Sequence, residues 1–374
     1  MKKVLFVATV VKTHIMEFHV PYLEMFKEMG WETAVASRND YENPVDCVIP
    51  HCDKYYNIPF ERSPLKLKNI TAYKQLKRII DEQAYDIIHC HTPVGAMIAR
   101  LAAIGARKKG TKVIYTAHGF HFFKGAPLMN WLIYYPVEWA LAHITDVLIT
   151  INKEDYARAQ KFKAKKVCYV PGVGIDFERL NNVRPNAREA LRNELGIPQG
   201  ATVVLSVGEV NENKNHRTVI KAIAQIDRKD IWYVICGRGP LMEEHKRLAD
   251  ELGIGNRVIL TGYRTDVAEF YRIADVFAFP SFREGLGLAA LEAMAVGLPI
   301  ITSNVQGIND YSENGMTGYK CNPQNVEEFA MGIQKMLENS ERCKQYALYN
   351  KNVAMMYDYM SIREKIRLIY EQVQ

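Results

Sequence analysis

Two glutamates, Glu284 and Glu292, stand eight positions apart in REGLGLAALEAMAVGLPII (residues 283–301), a run otherwise apolar and rich in small residues. A carboxylate in such surroundings is costly unless it is hydrogen-bonded or faces a ligand. The bland readings are a carboxylate at a helix start and a salt-bridged helix residue. The sharper one is a site. Gly285, Leu286, Gly287 and Leu288 would present free N–H groups to a phosphate, and Glu292, one turn into the following helix, could accept two hydrogen bonds from a vicinal diol such as a ribose. Upstream, GEVNENKNHRTVIKAI places Lys214 near a helix that opens at about Asn215, where amides and dipole already favour an anion. GRGP (237–240) adds a glycine turn at Gly237 through which backbone can approach a ligand closely, and YRTD (263–266) adds a further strand–turn–helix at Arg264.

These residues follow short apolar runs, and the runs organise the chain. KVLFVAT (3–9), ETAVAS (32–37), YDIIHC (85–90), KVIYTAH (112–118), DVLITI (146–151) and KVCYVP (166–171) read as buried strands separated by helices. A Gly-, Pro- and Asn-rich break at 171–201 follows, and the alternation restarts with TVVLSVG (202–208), IWYVICG (231–237), NRVILTG (256–262), DVFAFPS (275–281) and LPIITS (298–303). Continuous apolar strands alternating with helices imply parallel sheets covered on both faces. The fold class expected is α/β, with two doubly wound Rossmann-like domains facing each other across a cleft. Their expected bounds are 1–178 and 190–357, with a terminal helix at about 358–374 packing back on the first. In such sheets ligands bind beyond the carboxyl ends of the strands, where the residues above lie.

At 374 residues the chain exceeds what one core usually supports. The opening MKKVLFVATVVKTH imitates a signal peptide, but its apolar run ends at Lys12, and a buried first strand is the better reading. Seven scattered cysteines without a C-x-x-C suggest reduced thiols and a cytoplasmic protein. Residues 1–175 carry 24 Lys and Arg against 16 Asp and Glu, and the remainder 24 against 26. The basic stretches 66–79, 106–112 and 161–166 are either solvated helix faces or a surface drawn to anionic headgroups or a phosphate-bearing substrate. Nucleic acid is not expected, because basic and aromatic residues do not interleave in a binding motif. The aromatic run FHFFKGAPLMNWLIYYPVEWALAH (120–143) is read as core packing or, with those patches, as a face resting on a membrane.

The second half resembles the large family of retaining, nucleotide-sugar-dependent glycosyltransferases of GT-B fold, glycosyltransferase family 4, which includes bacterial capsule and exopolysaccharide enzymes. The residues that carry it are the E-x7-E pair Glu284 and Glu292, SVGEVNENKNH with Lys214, and the GRGP, LTGYRTDV and ADVFAFPS runs. HGFHFF (118–123) and ATVVKTHIMEFHVPYL match the same family's first domain, so the resemblance spans essentially the whole chain. It implies that Lys214 and amides near Gly287 and Leu288 neutralise a donor pyrophosphate, that Glu292 holds the ribose, and that backbone around Arg264 meets the base. It further implies that Glu284 contacts the donor sugar, that His118 sits against that sugar across the cleft, and that His14, with Thr9 nearby, faces the acceptor. Many relatives carry an arginine where this chain has Glu209, so another cation must meet the pyrophosphate; Arg283, Arg238 and Lys12 are the candidates. Thr9-Val10-Val11 also stands where relatives often have a glycine pair.

The resemblance implies transfer of a hexosyl or N-acetylhexosaminyl group from a nucleotide sugar, UDP-linked by expectation, to a lipid-linked sugar or glycan acceptor in surface polysaccharide synthesis. The protein would be cytoplasmic or peripheral on the inner face of the plasma membrane. No cofactor or metal is expected. No D-x-D occurs, and HCH (89–91) and H-x2-H (118–121) lack supporting Cys or carboxylate spacing for a metal. The alternatives are a UDP-sugar 2-epimerase, a nucleotide-sugar-binding protein without transfer activity, and a glycoside hydrolase, whose two carboxylates should stand about 5–9.5 Å apart without phosphate-binding devices.

Overall fold

The computed structural model describes residues 1–373; Gln374, the last residue of the expected terminal helix, lies outside the described residues. The chain divides into two compact units, Met1–Val173 joined by the segment from Ile362 onward, and Gly174–Ser361. Each is built on one parallel sheet.

The first sheet contains β1 (Lys3–Val10), β2 (Glu32–Arg38), β3 (Lys54–Asn57), β4 (Ile87–His91), β5 (Lys112–Ala117), β6 (Val147–Thr150) and β7 (Lys166–Tyr169), in the order β3-β2-β1-β4-β5-β6-β7. The second contains β8 (Thr202–Val207), β9 (Ile231–Cys236), β10 (Val258–Gly262), β11 (Val276–Phe279), β12 (Ile300–Ser303) and β13 (Gly318–Cys321), in the order β10-β9-β8-β11-β12-β13. Every pairing is parallel. The two doubly wound α/β layers expected from the sequence are therefore present.

Each of the eleven runs read as strands forms one. The sequence reading missed β3 and β13, each a four-residue strand at one edge of its sheet. An edge strand is covered on fewer sides, so KYYN and GYKC lack the continuous apolar signal that marks central strands. The break at 171–201 also contains more structure than expected, namely two short helices, Phe177–Asn181 and Ala187–Glu194.

Side chains of β1 show why the first sheet is covered twice. Leu5 and Val7 enter one core with Ala34, Ile88 and Val113, whereas Val4, Phe6 and Ala8 enter the other with Val35, Ile87 and Ile114. The helix Tyr359–Glu371 completes that second core with Ile362, Ile366, Ile369 and Tyr370. Burying such side chains stabilises by about 1.5–3 kcal/mol each, whereas a surface ion pair such as Arg363–Glu28 contributes about 0–1. The apolar stripe, not the ion pair, holds this helix.

Among the described residues, no helix is long and apolar enough to cross a membrane. All seven cysteines are unbridged.

The turns after β8 and β9 lie backbone against backbone. Gly208 N–H donates to Cys236 O and Val210 N–H to Arg238 O, both at 2.9 Å. A Cβ on Gly237, whose φ is 159°, would stand 1.8 Å from Gly208 O. The close approach that Gly237 permits is thus to the neighbouring turn of its own chain. Gly237→Ala is expected to destabilise the second unit by roughly 1–3 kcal/mol or more, read as a lower urea midpoint at unchanged slope.

Candidate active site

Strand order reverses once in each sheet, between β1 and β4 in the first and between β8 and β11 in the second. Such a reversal opens a crevice beyond the carboxyl ends of the two strands that flank it.

In the second unit the turns after β8 and β11 are stitched together there. Asn215, left-handed at φ 55°, donates through Nδ2 to Pro280 O at 3.0 Å and to Pro323 O at 2.8 Å. Asparagine tolerates that conformation better than most residues, so one side chain makes both the turn and the stitch. Phe282 N–H donates to Asn213 O at 2.8 Å, and Asn213 Nδ2 to Arg283 O at 3.0 Å. On this frame Lys214 Nζ donates to Glu284 Oε1 at 2.5 Å and lies 5.0 Å from the Phe279 ring centroid. The two side chains, seventy residues apart in sequence, are only 21% and 11% exposed. Each neutralises the other, and each has the charge that an anion and a polyol respectively would engage.

Gly287, at φ 86°, starts the helix Leu288–Ala295 and is not capped by a side chain among the described residues. A Cβ there would come within 2.6 Å of the Phe279 ring, so glycine is required for the turn to close. Gly285 is partly exposed, Leu286 is buried, and Gly307 N–H donates to Glu284 O at 3.1 Å. Glu292 sits further along the same helix. It pairs through Oε1 with Arg179 and accepts from Tyr271 O–H at 2.8 Å through Oε2. Burial raises its pKa, while Arg179 and Tyr271 act against that rise. Arg264 donates to Asp266 at 2.8 and 2.6 Å and lies over Phe270. Glu209 is exposed at the end of the β8 turn.

The reversal in the first unit gathers a second set. β1 ends in a π-helical turn, Val11–Ile15, that carries His14. Thr92, after β4, adopts φ 62° and ψ 144°, a conformation disfavoured for a side chain with a Cβ. Its Oγ1 accepts from Thr9 N–H at 3.1 Å and contacts Thr9 Oγ1 at 2.7 Å, tying the two strand ends together. Thr9 and His14 line one groove with Arg62, Thr92, His121 and Tyr134. His118 follows β5, its ring centroid 4.9 Å from that of His14; burial pushes its pKa down to about 4.

The structure therefore brings Lys214 and Glu284 into contact, sets Gly285, Leu286, Gly287 and Leu288 on the same turn, and places Thr9 and His14 on one wall. Gly237 packs against Gly208 and Glu209 of the β8 turn, and the Arg264 guanidinium is engaged by Asp266. Sequence reasoning missed Arg179, Tyr271 and His19. Arg179 lies 113 residues from the carboxylate it meets, and no spacing rule links them.

The aromatic run 120–143 divides. Phe120 and Phe122 stack in the core, and Glu138 forms a buried bidentate pair with Arg100 at 2.8 and 3.1 Å. Leu128, Met129, Leu132 and Ile133 point outward. Several of the basic residues are already paired: Arg107 and Lys165 with Asp146, Lys77 with Asp81, Arg78 with Glu82.

His216 lies under the Lys214 turn, with Nδ1 3.4 Å from Tyr233 O–H. Burial first, then His245 and Lys214, push its pKa down to about 3. The folded value lies below the unfolded one of about 6.5, so the unfolded state binds the proton first and stability falls as pH drops below 6.5. The loss should steepen by up to about 1.4 kcal/mol per pH unit between pH 6.5 and 3, and urea titrations of His216→Gln should show a shallower dependence.

Residues 187–353 match the family described as glycosyl transferases group 1, and residues 3–152 match glycosyl transferase 4-like. EpsD of Bacillus subtilis (strain 168), a glycosyltransferase by name alone, is 39% identical over 99% of this chain and 96% of its own. The Escherichia coli UDP-Gal:alpha-D-GlcNAc-diphosphoundecaprenol alpha-1,3-galactosyltransferase is 28% identical over 79% of this chain and 80% of its own. Among solved structures, Anabaena Alr3699/HepE in complex with UDP and glucose superposes with a TM-score of 0.82 at 19% identity, with both chains fully covered.

Proposed function

This chain belongs to the group 1 glycosyltransferases of GT-B fold and family 4 type, and from that premise we propose that it moves a hexosyl or N-acetylhexosaminyl group, with retention, from a UDP-linked donor to a lipid-linked sugar in surface polysaccharide synthesis. The observation that carries the reading is the Lys214–Glu284 contact at the strand-order reversal of the second sheet. Breaking the bond between the sugar and a nucleoside diphosphate builds negative charge on the pyrophosphate. Lys214 and the amides of Gly287 and Leu288 meet that charge, each such donor contributing about 3 kcal/mol, and no bridging metal is invoked. As Lys214 turns to the phosphate, Glu284 is released to hold hydroxyls of the sugar.

Glu292 takes the ribose hydroxyls, with Tyr271 and Arg179 orienting its carboxylate; backbone near Arg264 and Gly237 meets the rest of the nucleotide. Arg238, whose carbonyl receives Val210 N–H just past Glu209, supplies the second cation. The groove at Thr9 and His14 takes the acceptor, and His118 contacts the transferred sugar. A relative named for UDP-Gal and a diphosphoundecaprenol-linked acceptor supports this donor and acceptor class.

The exposed aliphatic side chains on the helix Leu128–Ala142, and lysines such as Lys66, Lys108 and Lys109 that lie exposed, suit the inner face of the plasma membrane, as do unbridged thiols.

Incubation with UDP-sugars and extracted lipid-linked acceptor should release UDP only when acceptor is present; equal release without it would point to hydrolysis or epimerisation instead. Glu292→Ala and Arg238→Ala should weaken UDP binding by at least ~10-fold, whereas His118→Ala should mainly lower kcat. In flotation assays the protein should rise with anionic liposomes at low salt, and Leu132→Glu should weaken that association; failure to float would remove the membrane from the proposal.

A further inference from the structure

Four histidines of the first unit meet at one point. His14 comes from the turn after β1, His19 from the start of the helix Val20–Glu28, His91 from the end of β4 and His118 from the loop after β5. One nitrogen of each lies within 4.8 Å of the other three. His91 Nδ1 and His118 Nε2 stand 3.3 Å apart, a hydrogen-bond distance that is also about the separation of two nitrogens held at ~2.0–2.1 Å by a tetrahedral ion. His14, His19 and His91 are each at least nine-tenths buried. Even so, His14 Nε2, both nitrogens of His19 and His91 Nε2 have no hydrogen-bond partner among the described residues.

The fifth ring of the cluster provides the contrast. His89, whose ring centroid is 4.1 Å from that of His91, has both nitrogens satisfied, Nδ1 by Tyr370 O–H at 2.6 Å and Nε2 by Thr116 Oγ1 at 2.8 Å. Buried imidazole nitrogens are ordinarily paired in this way, and an orphan costs about 1–3 kcal/mol. Three of the four rings that meet here carry an orphaned nitrogen, beside a ring that carries none, which indicates a common partner.

We propose that His14, His19, His91 and His118 bind a zinc ion. An all-imidazole donor set suits zinc and excludes magnesium and calcium, which require oxygen ligands. Zinc takes the neutral imidazole, whose free nitrogen offers the lone pair. Binding would draw the nitrogens inward and tilt His19 off His91, on which it now stacks at 3.7 Å between centroids. With Nε2 of His118 turned to the ion, Nδ1 becomes the fixed N–H donor, the tautomer able to donate to a sugar hydroxyl. That last consequence rests on the role proposed above for His118; the metal site does not.

The full-length protein, loaded with Zn2+ alone and dialysed, should retain near-stoichiometric zinc, and His19→Ala and His91→Ala should lower zinc affinity by at least ~10-fold. Co2+ on the wild-type chain should give the intense visible absorption of tetrahedral nitrogen ligation, a measurement that stands even if the variants fail to fold. Wild-type protein that keeps no zinc, variants that keep it undiminished, or a weak octahedral Co2+ spectrum would each overturn the proposal; a buried water in place of the ion gives the first result. UDP affinity, measured on the same zinc-loaded and chelator-treated samples, reports on the donor site independently and should not change.

Discussion

Contact between Lys214 and Glu284 depends on the reversal of strand order between β8 and β11. Parallel strands send all their carboxyl ends to one edge of the sheet, and the reversal makes the chain leave two adjacent strands in opposite directions. Turns seventy residues apart thereby become neighbours, and Asn215 locks them through two carbonyls. An ammonium and a carboxylate at that gap satisfy each other until a ligand arrives. The resting protein thus avoids an unpaired, partly buried charge while keeping both groups where a diphosphate and a sugar would need them.

Glycine serves this arrangement in two different ways. At Gly287 the missing side chain lets the turn fold against Phe279 and begin a helix that has no side-chain cap among the described residues. At Gly237 it lets two turns of the same sheet lie backbone to backbone. A glycine turn after a strand signals close approach, but what approaches, ligand or chain, depends on the neighbouring strand.

The first unit uses the same reversal for a different purpose. β1 and β4 meet through the Thr9–Thr92 hydrogen bond, and the turn beyond β1 carries His14 to the groove wall and to the histidine cluster at once. The helix Tyr359–Glu371 seals the far side of that cluster by placing Tyr370 on His89. Burial of the rings, rather than any neighbouring carboxylate, sets their chemistry.

Periodicity made the central strands legible, because a strand covered on both faces must be apolar throughout. It failed at Lys54–Asn57 and Gly318–Cys321, where an edge position relaxes that demand. Glu284 and Glu292 could be picked out because charges in apolar surroundings are costly without a purpose, and Lys214 because it stands near a helix N-terminus just after a strand. Their partners could not. Arg179 on Glu292 and the approach of His19 to His91 and His118 are through-space meetings between segments with no regular spacing. Hydrophobic burial acts residue by residue and leaves its period in the chain. Which charged and aromatic side chains finally touch is decided only when strand order, turn and helix have placed them, so that information is absent from any local stretch of the sequence.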